Sequence, residues 1–469
     1  LAALPVGQQH ALLASVYIAR HDAQPGVRSA ASGVWKSLIS NAPRTLRVIL
    51  RAVTDQLIAG LCCSSEDQQH AAANALGELV AKLAERVLPK LVPIMQSGLD
   101  EGDEARRRGV CLGLSEMMSA AGRDLVRGFL HEIIPAVRTA LCDPDDAVRE
   151  VAAQAFSTLQ RLIGGQAITE IVPSLLQLLR ADDSAKVAMG QAGLREVMSQ
   201  RPQAVVPYLL PKLTQPPINL SHARALAAVA EVAGAALHTH LDSLVPALLV
   251  EIYLEADVAP PGKVVDPQLR SALVGAADAV AAAVEEDGLH YLVTECKIAT
   301  AFTSPPHVRA AGANLIETLC KSCAYDLSPY HAQLVQSLIG LFRAPEAAVQ
   351  RAGIRGLDSL VKSLPKERYV LHVDTLRGQL FDVAAEHKAH QIARSVPPAE
   401  ASLLPALSLP NGIGALVAVY LQGLMTGTPE LREQSAKALG ECVGLTDPHA
   451  LKPCVVQITG PLIRIVGDR

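Results

Sequence analysis

Residues 142–159 read CDPDDAVREVAAQAFSTL, an acidic proline turn that runs straight into an Ala-rich stretch. Asp143 is placed to cap a helix through its side-chain oxygen. Pro144 suits the first helical position because its missing N–H needs no partner there, and Asp145 and Asp146 favour the positive end of the dipole. A helix is therefore predicted from about Pro144. Val148, Val151, Ala152, Ala155, Phe156, Leu159, Leu162 and Ile163 then recur at three- and four-residue steps. They draw one apolar stripe and leave Arg149, Glu150, Gln154 and Arg161 outside it.

The phrase recurs. QPGVRSAASGV at 24, DPQLRSALVGAADAV at 266, SPPHVRAAGANLI at 304 and TPELREQSAKAL at 428 each set a proline shortly before an aliphatic-Arg pair and a small-residue helix. The arginines Arg28, Arg149, Arg270, Arg309 and Arg432 are 121, 121, 39 and 123 residues apart, which is three, three, one and three periods of about 40. Weaker copies stand around Arg107 and Arg351. A second phrase lies between them, an aliphatic run broken by proline. Pro93, Pro135, Pro173, Pro211 and Pro246 follow at 42, 38, 38 and 35 residues, the same beat. Each period thus holds two helices, and the recurring proline marks a shared entry angle or kink.

A chain of 469 residues suggests about three ordinary domains, but a repeat of this kind replaces them with one continuous array of about ten helix pairs. The expected fold is all-α, an α-solenoid (superhelix), with residues 1–386 as the array. Residues 387–412 are an irregular Pro/Leu-rich insertion, and repeats resume over 413–469 and continue beyond the chain. Half the residues are hydrophobic yet 3% are aromatic, so the core is built of Ala, Leu, Val and Ile on closely spaced helices. No apolar run reaches the roughly 18 residues of a membrane span. The opening LAALPVGQQH has neither an initiator Met nor a charged-then-apolar leader, so the chain reads as a piece of something longer.

A net charge of −4 argues against a protein that coats nucleic acid. The densest basic groups are Arg44, Arg47 and Arg51, and then Arg106, Arg107, Arg108, Arg123 and Arg127; a solvated helix face is the plain reading of each, and phosphate contact the functional one, with ribosome contact assigned to the second. Nine scattered cysteines suit a reducing compartment. Cys320 and Cys323 form a lone CxxC on a repeat helix, where packed thiols are the better reading because a metal needs four ligands. No GxxxxGK[ST], HExxH or GxSxG occurs. No catalytic residue, cofactor or metal is assigned, and an enzyme is not expected. Two segments break the beat: 255–267, read as a long exposed connection, and 387–412, read either as docked or domain-intrinsic structure or as a plain flexible insertion.

Helix pairs of about 40 residues, with proline in the first helix and an aliphatic-Arg start to the second, resemble HEAT repeats. Longer phrases, among them VWKSLISNAPRTLRVIL, RRGVCLGLSEMM, LQGLMTGTPELREQSAKALGECV and VVQITGPLIRIVGDR, are similar to the C-terminal part of the giant general-control translational activators. That resemblance implies a non-catalytic, cytoplasmic scaffold of the amino-acid starvation response. It would be associated with the ribosome and not with a membrane, and would activate the kinase of initiation factor two alpha by binding its RWD domain. Other RWD-domain proteins would compete for the same surface. The RWD contact is expected within 387–469, at Arg432 with Glu430 and Lys437, and at Arg464. Arg432 has a plainer alternative, a rung that pairs with an acid on the next repeat. An importin-like nuclear transport carrier, or another HEAT scaffold, is the alternative function.

Overall fold

The computed structural model describes residues 4–101, 103–181, 183–255, 258, 266–394 and 403–467. Among them helix follows helix with no strand. Packing divides the chain into two units, Leu1–Leu209 and Leu210–Arg469, where the sequence reading has one array to residue 386.

In the first unit Glu104–Gly128, Asp146–Ile163 and Ser184–Gln200 pack in succession as one layer. Leu130–Leu141 and Gly165–Leu178 pack as the other, the first of them also against Glu66–Glu101. The recurring prolines Pro93, Pro135 and Pro173 all lie inside helices of that second layer. Two long helices are each a pair joined at a bend: Glu66–Glu101 at Leu83, and Glu104–Gly128 at Gly122, whose φ of 75° suits a residue without a Cβ. Glycine also sets the spacing between layers. A Cβ on Gly109 would lie 1.6 Å from the Leu61 carbonyl oxygen, and one on Gly193 would lie 2.4 Å from that of Leu141. Glu104–Gly128 and Ser184–Gln200 thus each touch the end of a second-layer helix with their backbone.

The stretch that opened the analysis forms Asp146–Ile163, two residues later than predicted. Asp145, not Asp143, is the cap, accepting the N–H groups of Ala147 and Val148. Val148, Ala152, Ala155, Phe156 and Leu159 are buried as the stripe requires. Each large side chain among them contributes about 1.5–3 kcal/mol from area removed from water. Arg149, expected outside, is buried with 8% of its surface exposed, because its guanidinium reaches back to the turn.

The second unit has the same two layers. Leu220–Ala233, Pro267–Ala283, Pro306–Ser322 and Ala347–Lys362 pack in succession, and so do Leu241–Glu251, Leu289–Thr300, His331–Gly340 and Val373–Ala393. The order then changes. Gly414–Thr426 packs on Ala347–Lys362, while Pro429–Gly444, which opens with the repeat's Arg phrase, packs on Val373–Ala393. The last Arg helix therefore stands in the opposite layer from its counterparts. The cause lies in the irregular segment: Leu404, Ala406 and Leu407 are buried, the turn Pro405–Ser408 packs on Ala347–Lys362, and the Leu404 N–H bonds the Leu445 carbonyl at 3.0 Å. The described part of 387–412 is intrinsic packing; residues 395–402 lie outside the described residues.

Most of 255–267 also lies outside them, but the described positions are not a free connection. Glu255 bonds Arg351, Val258 is buried, and the neighbouring Tyr253 ring stacks on His307 at 4.5 Å. Among the described residues one helical stretch, Leu220–Glu251, has the length and mean hydropathy of a membrane span. It is half buried and is broken at Gly234, where φ is 48°, so its two halves join different layers.

Candidate interaction surface

One position repeats through both units: the residue whose N–H bonds the carbonyl of the helix cap four residues earlier. Eight of its holders are Arg or Gln, namely Arg28, Gln69, Arg107, Arg149, Arg270, Arg309, Gln350 and Arg432, while Val187 and Ala223 hold it in Ser184–Gln200 and Leu220–Ala233 with apolar side chains. Gln69 and Gln350 escape a search for arginine, which lands one residue late, on Arg351. The spacing from the cap is the signal that finds them.

Seven of these eight side chains are engaged. Arg28, Gln69, Arg149 and Gln350 all donate to the carbonyl six residues back, at 2.7, 2.7, 2.6 and 2.7 Å, tying the helix start to its own turn. Gln69 also donates to the Ala105 carbonyl at 2.6 Å and accepts two N–H bonds from Arg108. Arg107 reaches the next repeat, with Nε and Nη2 at 2.6 and 3.0 Å from the two Asp143 oxygens. Arg309 also reaches the next repeat, Glu346, with Nη2 at 3.3 Å, and lies over the Phe302 ring. Burial holds the Arg309 guanidinium below the ordinary arginine range. Arg270 donates to the Leu254 carbonyl at 3.3 Å.

Arg432 is different. Its backbone keeps the register, with the N–H 2.8 Å from the Thr428 carbonyl, but its guanidinium is exposed and meets no partner among the described residues. The rung role, real for Arg107 and Arg309, reaches an acid 36 or 37 residues on, and for Arg432 that position is 468–469, outside the described residues. Its helix, Pro429–Gly444, is capped by Thr428 and buries Ser435, Ala438, Leu439 and Cys442, leaving Glu430 exposed. Lys437 is exposed and pairs with Glu433 one turn away, a surface pair of small worth that solvent screens. Arg464 is exposed on Val455–Gly467, which packs on Gly414–Thr426.

The basic group near residue 106 is not brought together as one phosphate site. Arg107 is held by Asp143, and Arg108 by Gln69 and Glu66, so both are parts of the stack. Arg106 is half-buried, and its Nε has no partner among the described residues. Arg123 and Arg127 remain exposed beyond the bend at Gly122. Among the described residues no group of three His, Cys, Asp or Glu is disposed to hold a metal. Cys320 is buried, which pushes its thiol up to about 12 and disfavours the thiolate a metal requires.

Helix pairs in two layers, stitched at a repeated Arg/Gln position, define a HEAT-repeat protein. A model described as stalled ribosome sensor GCN1-like, HEAT repeats, matches residues 205–411, and a HEAT-like repeat model matches 104–159. The chain is a HEAT-repeat protein similar to a region of this GCN1-like family. It is 36% identical over 470 residues to the stalled ribosome sensor GCN1 of Homo sapiens, covering all of this chain and 17% of that protein. It is 31% identical over 460 residues to the eIF-2-alpha kinase activator GCN1 of Saccharomyces cerevisiae, covering 98% of this chain and 16% of that protein. Among solved structures the karyopherin Kap121p bound to RanGTP is similar at 14% identity and a TM-score of 0.38, over the whole of this chain and 47% of that one.

Proposed function

We propose that this chain is a non-catalytic, cytoplasmic scaffold of translational control. It works beside the ribosome and binds the RWD domain of the initiation factor two alpha kinase through Pro429–Gly444. The observation that carries the reading is Arg432: at a position where seven counterparts are tied into the stack, its fork of donors stands in solvent. A guanidinium fork suits a carboxylate on a partner better than an ammonium would. Glu430, Lys437 and Arg464 supply further exposed charge near that end of the unit, and the relatives are named as a ribosome sensor and a kinase activator. Arg123 and Arg127 are the arginines of the basic group left to meet ribosomal phosphate.

Titration calorimetry of the chain with the purified RWD domain tests the kinase contact, and co-sedimentation with ribosomes over a salt series tests the other. Absence of heat with the RWD domain would remove the first. Absence of co-sedimentation even at low salt would remove the second.

A further inference from the structure

The second unit has an apolar groove that the contact at Arg432 does not use. One wall is the helix Val373–Ala393, which turns Leu380, Phe381, Ala384 and Ala385 toward it. Spaced i, i+1, i+4 and i+5, these form a helical stripe, and such a stripe ordinarily packs on a neighbour. Here it faces an open cavity of about 430 Å³. The opposite wall is the end of Pro429–Gly444, where Ala438, Gly444 and the following Leu445 leave room, and the Tyr420 ring closes the floor. Phe381 is 64% exposed on the rim.

The two ends of the groove differ in charge. At one, Arg377 holds Glu441 with two bonds of 2.6 and 2.9 Å and also bonds Gln434, so that end is neutralised. At the other, Lys388 lines the groove, is exposed, and meets no partner among the described residues. From Arg377 to Lys388 the wall runs about 16 Å at 1.5 Å per residue, close to three helical turns. Phe381 keeps most of its surface exposed at the rim, and a helix laid along the wall covers it.

We propose that this groove docks an amphipathic helix of about three turns from a partner protein. The partner helix sets an apolar i, i+3, i+4, i+7 stripe against Leu380, Phe381 and Ala384, and an acidic side chain against Lys388. The helix Pro429–Gly444 serves both this groove and the RWD reading, and Arg432, which lies outside the groove, separates the two.

The test is fluorescence anisotropy of a labelled 14-residue model peptide on the full chain. The peptide carries leucines at i, i+3, i+4 and i+7 with flanking glutamates, and its control has the same composition in scrambled order. Ala385→Trp fills the groove from an exposed position, and Lys388→Glu reverses its free charge. Each is expected to weaken the peptide by at least about tenfold, which corresponds to about 1.4 kcal/mol. A peptide with lysines in place of the glutamates should recover on Lys388→Glu, and Arg432→Ala should change nothing. Equal binding of the scrambled peptide, or undiminished binding to Ala385→Trp in a chain of unchanged circular dichroism, would overturn the proposal.

Discussion

The guanidinium of Arg107 is held in a fork by the carboxylate of Asp143, 36 residues later, at 2.6 and 3.0 Å, and that carboxylate is 93% removed from solvent. The pair joins one repeat to the next. Asp143 also accepts the Asp145 N–H at 2.9 Å, so it shapes the turn that starts the following helix. Removing Arg107 leaves the buried Asp143 carboxylate without its counter-charge, and removing Asp143 takes the fork from a half-buried guanidinium. Asp143→Ala and Arg107→Ala are each expected to cost about 3 kcal/mol, with the double variant costing far less than the sum. Urea unfolding of the three variants reads this directly; additive losses would show that the pair is not coupled.

Glycine substitutions should separate into two classes. Gly109→Ala drives a Cβ into the Leu61 carbonyl and is expected to destabilise by about 2 kcal/mol or more. Gly275, inside the helix Pro267–Ala283, has nothing within 4 Å of its Cβ position. Gly275→Ala should therefore stabilise by about 0.5–1 kcal/mol through helix propensity and a less disordered unfolded chain. Thermal melts of the two variants should move in opposite directions.

Tyr420 is wholly buried, and its hydroxyl has no hydrogen-bond partner among the described residues. Removing an unpaired buried hydroxyl relieves a desolvation cost, so Tyr420→Phe is expected to leave stability equal or raise it by about 1 kcal/mol. A loss of stability in calorimetry would mean the hydroxyl is in fact paired.

His331 and His372 meet edge-on at 5.0 Å, with Asp326 and Arg368 also acting on His331. Burial and then the charge of His372 hold the His331 imidazole down to about 4, and burial lowers His372 as well. The unfolded chain titrates near the ordinary 6.5 and so binds more protons than the native one between about 6.5 and 4. Stability should fall as pH drops through that window and then level off. The urea midpoint at pH 7 and pH 5 measures the slope, and His331→Leu should flatten it.

Much of this architecture was legible from the chain. Proline placement and apolar stripes gave the helix pairs, and the 40-residue beat gave their stacking, because both are local consequences of helix geometry. The beat could not say that Asp143 would leave the cap to Asp145, since that choice depends on an arginine one repeat earlier. Gln69 and Gln350 were missed because a neutral amide makes the same bond to the turn as an arginine does. The change of layer after Ala347–Lys362 was also hidden. Leu404, Ala406 and Leu407 read as an irregular interruption, yet they pack as part of the stack. Of the candidate contacts, Arg432 is marked by register and family likeness, and its lack of a partner among the described residues shows only beside its engaged counterparts.

The central claim is that Arg432 serves a partner while its counterparts serve the fold. Measuring RWD-domain affinity and melting temperature together for Arg432→Ala and Arg149→Ala tests it most directly. The account predicts that Arg432→Ala loses affinity with an unchanged melting temperature. It predicts that Arg149→Ala melts earlier, because a buried side chain bonded to the Asp143 carbonyl is removed. An Arg432→Ala chain that binds the RWD domain as well as the parent, or that loses binding only in step with its melting temperature, would contradict it.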